Sequence, residues 1–531
     1  MTRTFFGLRA RVLARVSALA GAAALVVGLT PATSTIGASA ATTQQTYLVL
    51  AKQETVSARL LSQLRLQGGT IVASYDAIGV VVVRTGDAQF ASRAQKSLDV
   101  EGAANANALT FKLKPSIENQ GSDGNGNGNK PARDSDNLSG LQWDMRQIST
   151  PQAHQITGGS RSVLVGDIDT GLDYTHPDLA PNVDSANSVN CLTGSPVAGA
   201  AAAMDDNGHG THTAGTIAAA SNGIGIVGVA PKVRIAGIKA GDYQGFFFPQ
   251  AVVCAFMWAG SHHFNVTNNS YFADPYYYNC PNGSQQERLI LKAEGRAIAY
   301  ATRKGVTNIA AAGNFADDMA NPTQDRQSPD DTTPVTRPVT KACKVIPVQM
   351  PGVIAVSATG NKGRKSFYSN YGMDVINVAA PGGDSRQLTT QATNGRVLST
   401  YPVSLKDTCI RFVVDPAGGP KAFYCYLQGT SMASPHVTGL AALMISRFGE
   451  MSAADIRHRL EATADPIACP TAAELALYYA STPSANNDAP QTCTGSTAHN
   501  SWYGFGQINA LKAISGEGDD NNQQNNNQRH N

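Results

Sequence analysis

Past its first thirty residues, this 531-residue chain has no apolar run long enough to span a membrane. It also has no excess of either charge. Lys and Arg number 41 against 39 Asp and Glu, and only 15% of residues are charged. That balance gives no sign of a nucleic-acid surface. No cysteine stands before Cys191, and no Cys/His spacing matches a zinc site. Two stretches lack apolar residues altogether. One is 121–130, GSDGNGNGNK, a flexible linker and a natural place for cutting. The other is the Asn/Gln/Asp-rich tail 516–531, which is expected to be disordered.

What is present divides the chain. Arg3, Arg9, Arg11 and Arg15 precede the apolar run 16–29, and Ala38-Ser39-Ala40 supplies a small-residue cleavage pattern. Residues 1–40 therefore read as a secretory signal, and the protein as secreted (extracellular) with no stable membrane anchor once the signal is removed. Eight cysteines suit that destination. Residues 41–120 form a small α+β unit, with strands at 46–50, 70–75 and 79–83 and helices at 56–66 and 88–98. Residues 121–141 are a linker holding the activation site. Residues 142–515 alternate apolar runs with Ala-rich helical stretches, which predicts an α/β fold: a mostly parallel sheet with helices on both faces. Runs at 227–238, 308–312 and 353–358 supply strands. The segments 315–340 and 383–429 read as surface loops.

Three motifs carry chemistry. In Gly429-Thr430-Ser431-Met432-Ala433-Ser434-Pro435, a serine stands before the apolar run Val437, Leu440, Ala441, Leu443, Met444. A serine at the start of a buried helix meets free N–H groups and the positive end of the helix dipole. Asp169-Thr170-Gly171 follows an apolar strand, which puts the aspartate at the strand's carboxyl end, where α/β sheets carry their sites. His209-Gly210-Thr211-His212 opens an Ala-rich helix, and either histidine could serve as a base. His262, His263 and His436 read as structural or exposed.

The order Asp, His, Ser, with the segments VLVGDIDTGLDYTHPDL, NGHGTHTAGTIAAASNGIGIVGVAP, NIAAAGN, FYSNYGMDVINVAAPG, GTSMASPHVTGLAAL and YGFGQINA, resembles the subtilisin-like serine peptidases (the subtilase family, peptidase S8). The resemblance runs from about Gln147 to Ala510. It implies a serine endopeptidase made as a zymogen, with the pro-region 41–120 assisting folding and blocking the cleft. It assigns Ser431 as nucleophile, His209 rather than His212 as base, and Asp169 as the residue orienting the imidazole. It also assigns Asn314 and the backbone N–H of Ser431 as oxyanion donors. The other readings are a narrow-specificity processing peptidase and a catalytically silent interaction module.

The resemblance also implies a substrate cleft between Asn269-Ser270-Tyr271-Phe272 and Ala311-Ala312-Gly313. Phe272 stands where the family has glycine, which predicts either lost backbone pairing with substrate on that side or a narrowed subsite, unless these aromatics pack the insertion that carries Cys280. Structural calcium is implied at the loop 221–226, with Asp178, Asn222 and Gln142 as oxygen donors. Polypeptide substrates and the chain's own propeptide are the expected partners of a monomer. From the residues themselves, Cys409 and Cys425 lie at the open end of a strand–turn–strand and are predicted to pair. Cys469 and Cys493 flank a polar insertion and are predicted to pair as well. The other four cysteines have no assignment.

Overall fold

The computed structural model describes residues 44–106, Glu118 and 136–516. The predicted signal, the linker's Gly/Asn run and nearly all of the polar tail lie outside the described residues. The small N-terminal unit has strands β1 (Gln45–Ala51), β2 (Thr70–Tyr75), β3 (Val80–Thr85) and β4 (Val100–Asn105), with helices α1 (Ala58–Leu66) and α2 (Phe90–Ala94). Its strands pair antiparallel in the order β2-β3-β1-β4. Alternation along β1 and β3 splits the side chains between two faces. Tyr47, Val49, Val81 and Val83 cover α1 and α2. Leu48, Leu50, Val80 and Val82 join the core of the larger body.

The larger body opens with two short helices, α3 (Trp143–Gln147) and α4 (Thr150–Ala153). Next come β5 (Leu164–Asp169), β6 (Val189–Asn190), β7 (Val197–Ala198), α5 (His209–Ala218) and β8 (Arg234–Lys239). They are followed by α6 (Pro249–Ser261), β9 (Val266–Asn269), α7 (Gln285–Arg303) and β10 (Thr307–Ala311). Two minimal strands, β11 (Gln324–Asp325) and β12 (Arg337–Pro338), precede β13 (Val353–Thr359) and β14 (Val378–Pro381). A second small sheet of β15 (Val397–Thr400), β16 (Phe412–Val414) and β17 (Phe423–Leu427) leads into helices α8 (Thr430–Phe448) and α9 (Ala453–Thr463).

The main sheet has the order β14-β13-β10-β9-β5-β8-β6-β7 and is parallel except where β7 joins. Helices α6 and α7 cover one face, through Val252, Phe256, Leu289 and Ile298. Helices α5 and α8 cover the other, through Ala214, Ile217, Val437 and Leu440. This is the predicted subtilisin-like class of fold. From β5 the chain runs first to β8 on one side, then crosses to β9 on the other. That reversal of direction places a crevice at the carboxyl ends of these strands. The small unit's sheet lies on α6 and α7. There Lys292 pairs with Glu101 at 2.7 Å, and Arg296 donates to Ile78 O at 3.2 Å.

Four expectations change. The run 227–238 is a strand only over Arg234–Lys239, because the preceding residues form a loop beside α5. Of the predicted linker, residues 136–141 belong to the packed body, where Leu138 N donates to Gly225 O at 2.7 Å. The segment 383–429 is not a surface loop. Its strands bury Val397, Tyr401, Phe423, Cys425 and Leu427 around Trp143 and Met432. The segment 315–340 is likewise packed, with Asp317 and Asp325 buried and Arg337 pairing with Glu287 (2.7 Å) and Asp325 (2.6 Å). In both segments polar and turn residues outnumber apolar ones, so apart from the strand–turn–strand between Cys409 and Cys425 no hydrophobic period marked them.

The structure pairs Cys409 with Cys425 and Cys469 with Cys493. It also pairs Cys191 with Cys254 and Cys280 with Cys343. Each of these two closes a separation of 63 residues, beyond the reach of any local pattern.

Candidate active site

Asp169 ends β5, fully buried. His209 begins α5, and its Nδ1 lies 2.7 Å from Asp169 Oδ1. The local sequence fixes this entry. The Asp205 carboxylate accepts from Gly208 N (2.9 Å), Thr211 N (2.9 Å) and Thr211 Oγ1 (2.6 Å), satisfying orphan donors of the first turn. Thr170 Oγ1 accepts from Gly210 N at 2.9 Å, tying the helix to the residue after Asp169. Gly208 has φ 101°, a left-handed conformation that favours glycine, and a Cβ there would meet the Tyr401 ring at 2.3 Å. At Gly210 a Cβ would stand 2.1 Å from Gly171 O, so glycine permits the close approach of α5 to the end of β5.

His212 takes a different role. It is buried, its Nε2 donates to Cys425 O at 3.0 Å, and burial pushes its pKa down to about 3. It stays neutral and serves packing. For His209, burial works to lower the pKa, but the charges of Asp169 and Glu118 and hydrogen bonds to both outweigh it. The imidazole is held well above its ordinary range.

Ser431 is the second residue of α8, so its N–H is one of the helix's unpaired first donors. Pro435 lacks the N–H that would bond Ser431 O within the helix. That carbonyl accepts from Ser270 Oγ instead, at 2.9 Å. In return Ser431 Oγ donates to Ser270 O at 3.1 Å. Asn314 Oδ1 is taken by Thr430 N and Thr430 Oγ1, both at 2.9 Å. This turns Nδ2 toward the cleft, beside Gly429.

The cleft has a volume of about 470 Å³, and both expected walls line it: Ser270, Tyr271 and Phe272 on one side, Ala311, Ala312 and Gly313 on the other. Asn269 sits behind the first wall, buried, accepting from Tyr271 OH at 3.2 Å. Tyr271 stacks on Phe247 with centroids 4.0 Å apart. Phe272 meets Tyr277 and Phe315 edge-on, at 5.2 and 6.1 Å. Phe247 and Phe315 were not singled out by sequence, since no motif marks them.

Glu118 was missed too. Its Oε1 lies 3.1 Å from His209 Nε2, and its carbonyl accepts from Gln428 N at 3.3 Å. A lone glutamate beyond the small unit's last strand gives no signal in one dimension.

The residues expected to hold calcium do not fit that ion. Gln142, Asp178 and Asn222 do surround the loop, but a loop N–H group occupies an oxygen of each, and Val227 O accepts from Gln142 Nε2 at 2.9 Å. Asn222 N and Gly223 N donate to Asp136 (3.1 and 3.0 Å), and Ile224 N donates to Asn222 Oδ1 (2.9 Å). Gly225 N donates to Asp415 (2.7 Å), Ile226 N to Asp178 (2.9 Å) and Val227 N to Gln142 Oε1 (2.9 Å). Burial first, then the charges of Asp136 and Asp415, push the Asp178 carboxyl up to about 8. A hard cation needs converging, charged oxygen donors. Among the described residues no cluster of three or more His, Cys, Asp or Glu could hold a metal.

With this geometry in place, comparison with known proteins is direct. The profile of the Subtilase family matches residues 160–506. Subtilisin Savinase of Lederbergia lenta is 30% identical over 326 residues, covering 61% of this chain and 91% of that protein. M-protease of Shouchella clausii is 30% identical over 326 residues, and the match spans 61% of this chain and 64% of that protein. The crystal structure of the epidermin leader peptide processing serine protease of Staphylococcus aureus superposes with a TM-score of 0.60 at 21% identity. It covers 89% of this chain and 98% of that one, a likeness of fold.

Proposed function

The chain belongs to the subtilase family, and on that premise we propose that it is a secreted serine endopeptidase, made as a zymogen, that cuts polypeptides through an acyl-enzyme. The observation that carries this reading is the meeting of three elements at one crevice. The Asp169–His209 pair at 2.7 Å, the start of the buried helix holding Ser431, and the Asn314 amide all line or adjoin the same cleft.

In the proposed reaction Ser431 Oγ attacks the peptide carbonyl while His209 Nε2 takes its proton. Asp169 holds the ring with Nε2 facing out and stabilises the imidazolium. The carbonyl oxygen, now negative, receives Asn314 Nδ2–H and Ser431 N–H, donors in place before the charge develops. His209 then returns the proton to the leaving amine, and water repeats the sequence on the ester.

The zymogen reading is supported by Glu118. With its carboxylate at Nε2, the imidazole has no free site for the serine proton, and Ser431 Oγ turns to Ser270 O. Secretion is supported by four disulfides that use all eight cysteines. A second reading, a peptidase dedicated to few cuts, is favoured by the aromatic walls at Phe247, Tyr271, Phe272 and Phe315.

A serine-directed phosphonate and a denatured-protein substrate test the proposal. Wild type freed of its pro-region should label and cleave, and Ser431→Ala should do neither. Undiminished labelling in Ser431→Ala would refute the nucleophile. Labelling of wild type without any cleavage would refute the endopeptidase.

A further inference from the structure

Asp169 is not the only carboxyl that β5 aims at α5. Successive strand residues alternate faces, so Asp167 and Asp169 share one. On α5, His209 and Thr213 are four apart and also share a face. The two pairs form a ladder: Asp169 Oδ1 to His209 Nδ1 at 2.7 Å, and one turn along, Thr213 Oγ1 to Asp167 Oδ2 at 2.7 Å. Asp167 and Thr213 are both wholly buried.

The second oxygen of Asp167 reaches the other two elements of the site. Asn268 Nδ2 donates to Asp167 Oδ1 at 2.8 Å, and Asn268 Oδ1 accepts from Ser434 Oγ, on the serine helix, at 2.7 Å. Asn268 Nδ2 also lies 3.1 Å from Ser270 Oγ, the hydroxyl that bonds Ser431 O. One carboxyl thus touches the base's helix directly and, through one amide, the cleft wall and the nucleophile's helix.

Proton counting constrains its state. The Thr213 hydroxyl has a single proton and three acceptors within reach, the two shortest being Asp167 Oδ2 (2.7 Å) and Gly210 O (3.0 Å), with His209 O at 3.4 Å. A carbonyl cannot donate. Both short contacts are satisfied together when the hydroxyl donates to Gly210 O and Asp167 donates to the hydroxyl. The charged or titratable groups facing Asp167 are Asp169 and His209, and the imidazole is already paired with Asp169. Burial first, and the Asp169 charge second, push the Asp167 carboxyl well above the usual range.

We infer that Asp167 is a positioning residue for the proposed hydrolysis: a neutral buried carboxyl that locks α5 through Thr213 and β9 and α8 through Asn268, keeping His209 and Ser431 in register. The inference rests on the endopeptidase reading above. Its failure is distinguishable, because wild type must first cleave and Ser431→Ala must not.

The test compares Asp167→Asn, Asp167→Val and Thr213→Val in the processed enzyme. Asparagine reproduces a neutral acid, with Nδ2 donating to Thr213 and Oδ1 accepting from Asn268. It should keep kcat within about twofold and leave the acid limb of the pH–kcat/KM profile in place. Asp167→Val and Thr213→Val should each lower kcat tenfold or more with KM within about twofold, and the double variant should lose little beyond the worse single. An acid limb moved to lower pH in Asp167→Asn would mean an ionised Asp167 had been supporting His209, and would overturn the neutral state. Wild-type kcat in Thr213→Val would overturn the clamp, and that variant decides the matter even if Asp167→Val does not fold.

Discussion

At His209 both ring nitrogens are engaged, Nδ1 by Asp169 and Nε2 by Glu118. A hydrogen bond to a charged group is worth about 1.5–3 kcal/mol. Replacing Glu118 with glutamine in the precursor should therefore weaken the masked state roughly tenfold or more. Faster self-processing on a denaturing gel, absent when Ser431→Ala is added, is the expected outcome. An unchanged rate would show that Glu118 does not mask the site. The sign with pH follows from the imidazole's raised pKa. A group whose folded pKa is raised lends its stability fully below the unfolded value and loses it as pH rises through the folded one. Processing of the precursor should thus quicken as pH climbs through the raised His209 pKa. In Glu118→Gln that rise should come at lower pH, since one of the two charges holding the proton is gone. The proposed triad was legible in the sequence because each member sits in a contiguous motif. Glu118 and Thr213 were not, because their partners are 91 and 46 residues away, at His209 and Asp167.

Helix α5 owes its start to one side chain. Asp205 accepts from backbone or hydroxyl donors at Asn207, Gly208, Thr211 and Thr170, and is almost fully buried. Losing a helix cap costs about 1–2 kcal/mol, and the stranded buried donors add to it. Asp205→Ala should lower the melting temperature by several degrees and reduce kcat more than it raises KM, because His209 is the first residue of the released turn. Equal effects on both constants would argue that the cleft as a whole had moved. The strands and helices of the main sheet were readable from their apolar runs. The sheet of β15, β16 and β17 was only half readable. The Cys409–Cys425 hairpin announced itself, but its burial did not, since Trp143 and Met432, which cover it, lie far off in sequence or in another element.

For the molecule as a whole, the loop 222–227 is held by Asp136, Asp178, Asp415 and Gln142 from elsewhere in the chain and by its own Asn222, with six consecutive N–H groups on side-chain oxygens. A chelator at pH 7 should leave the melting temperature unchanged. A fall of several degrees on chelation, restored by calcium, would return the site to the ion. The fold class, the family and the three proposed catalytic positions were legible in the sequence alone, because each rests on local order: apolar periods, capping residues and short motifs whose spacing needs no partner. What only the tertiary structure decided are the long-range choices. These are the two 63-residue disulfides, the N–H-inward turn of the loop, the carboxylate on His209, and Asp167 one rung below Asp169. Each depends on which distant groups meet in a dry interior, where an unpaired donor or charge is costly and pairing is therefore specific.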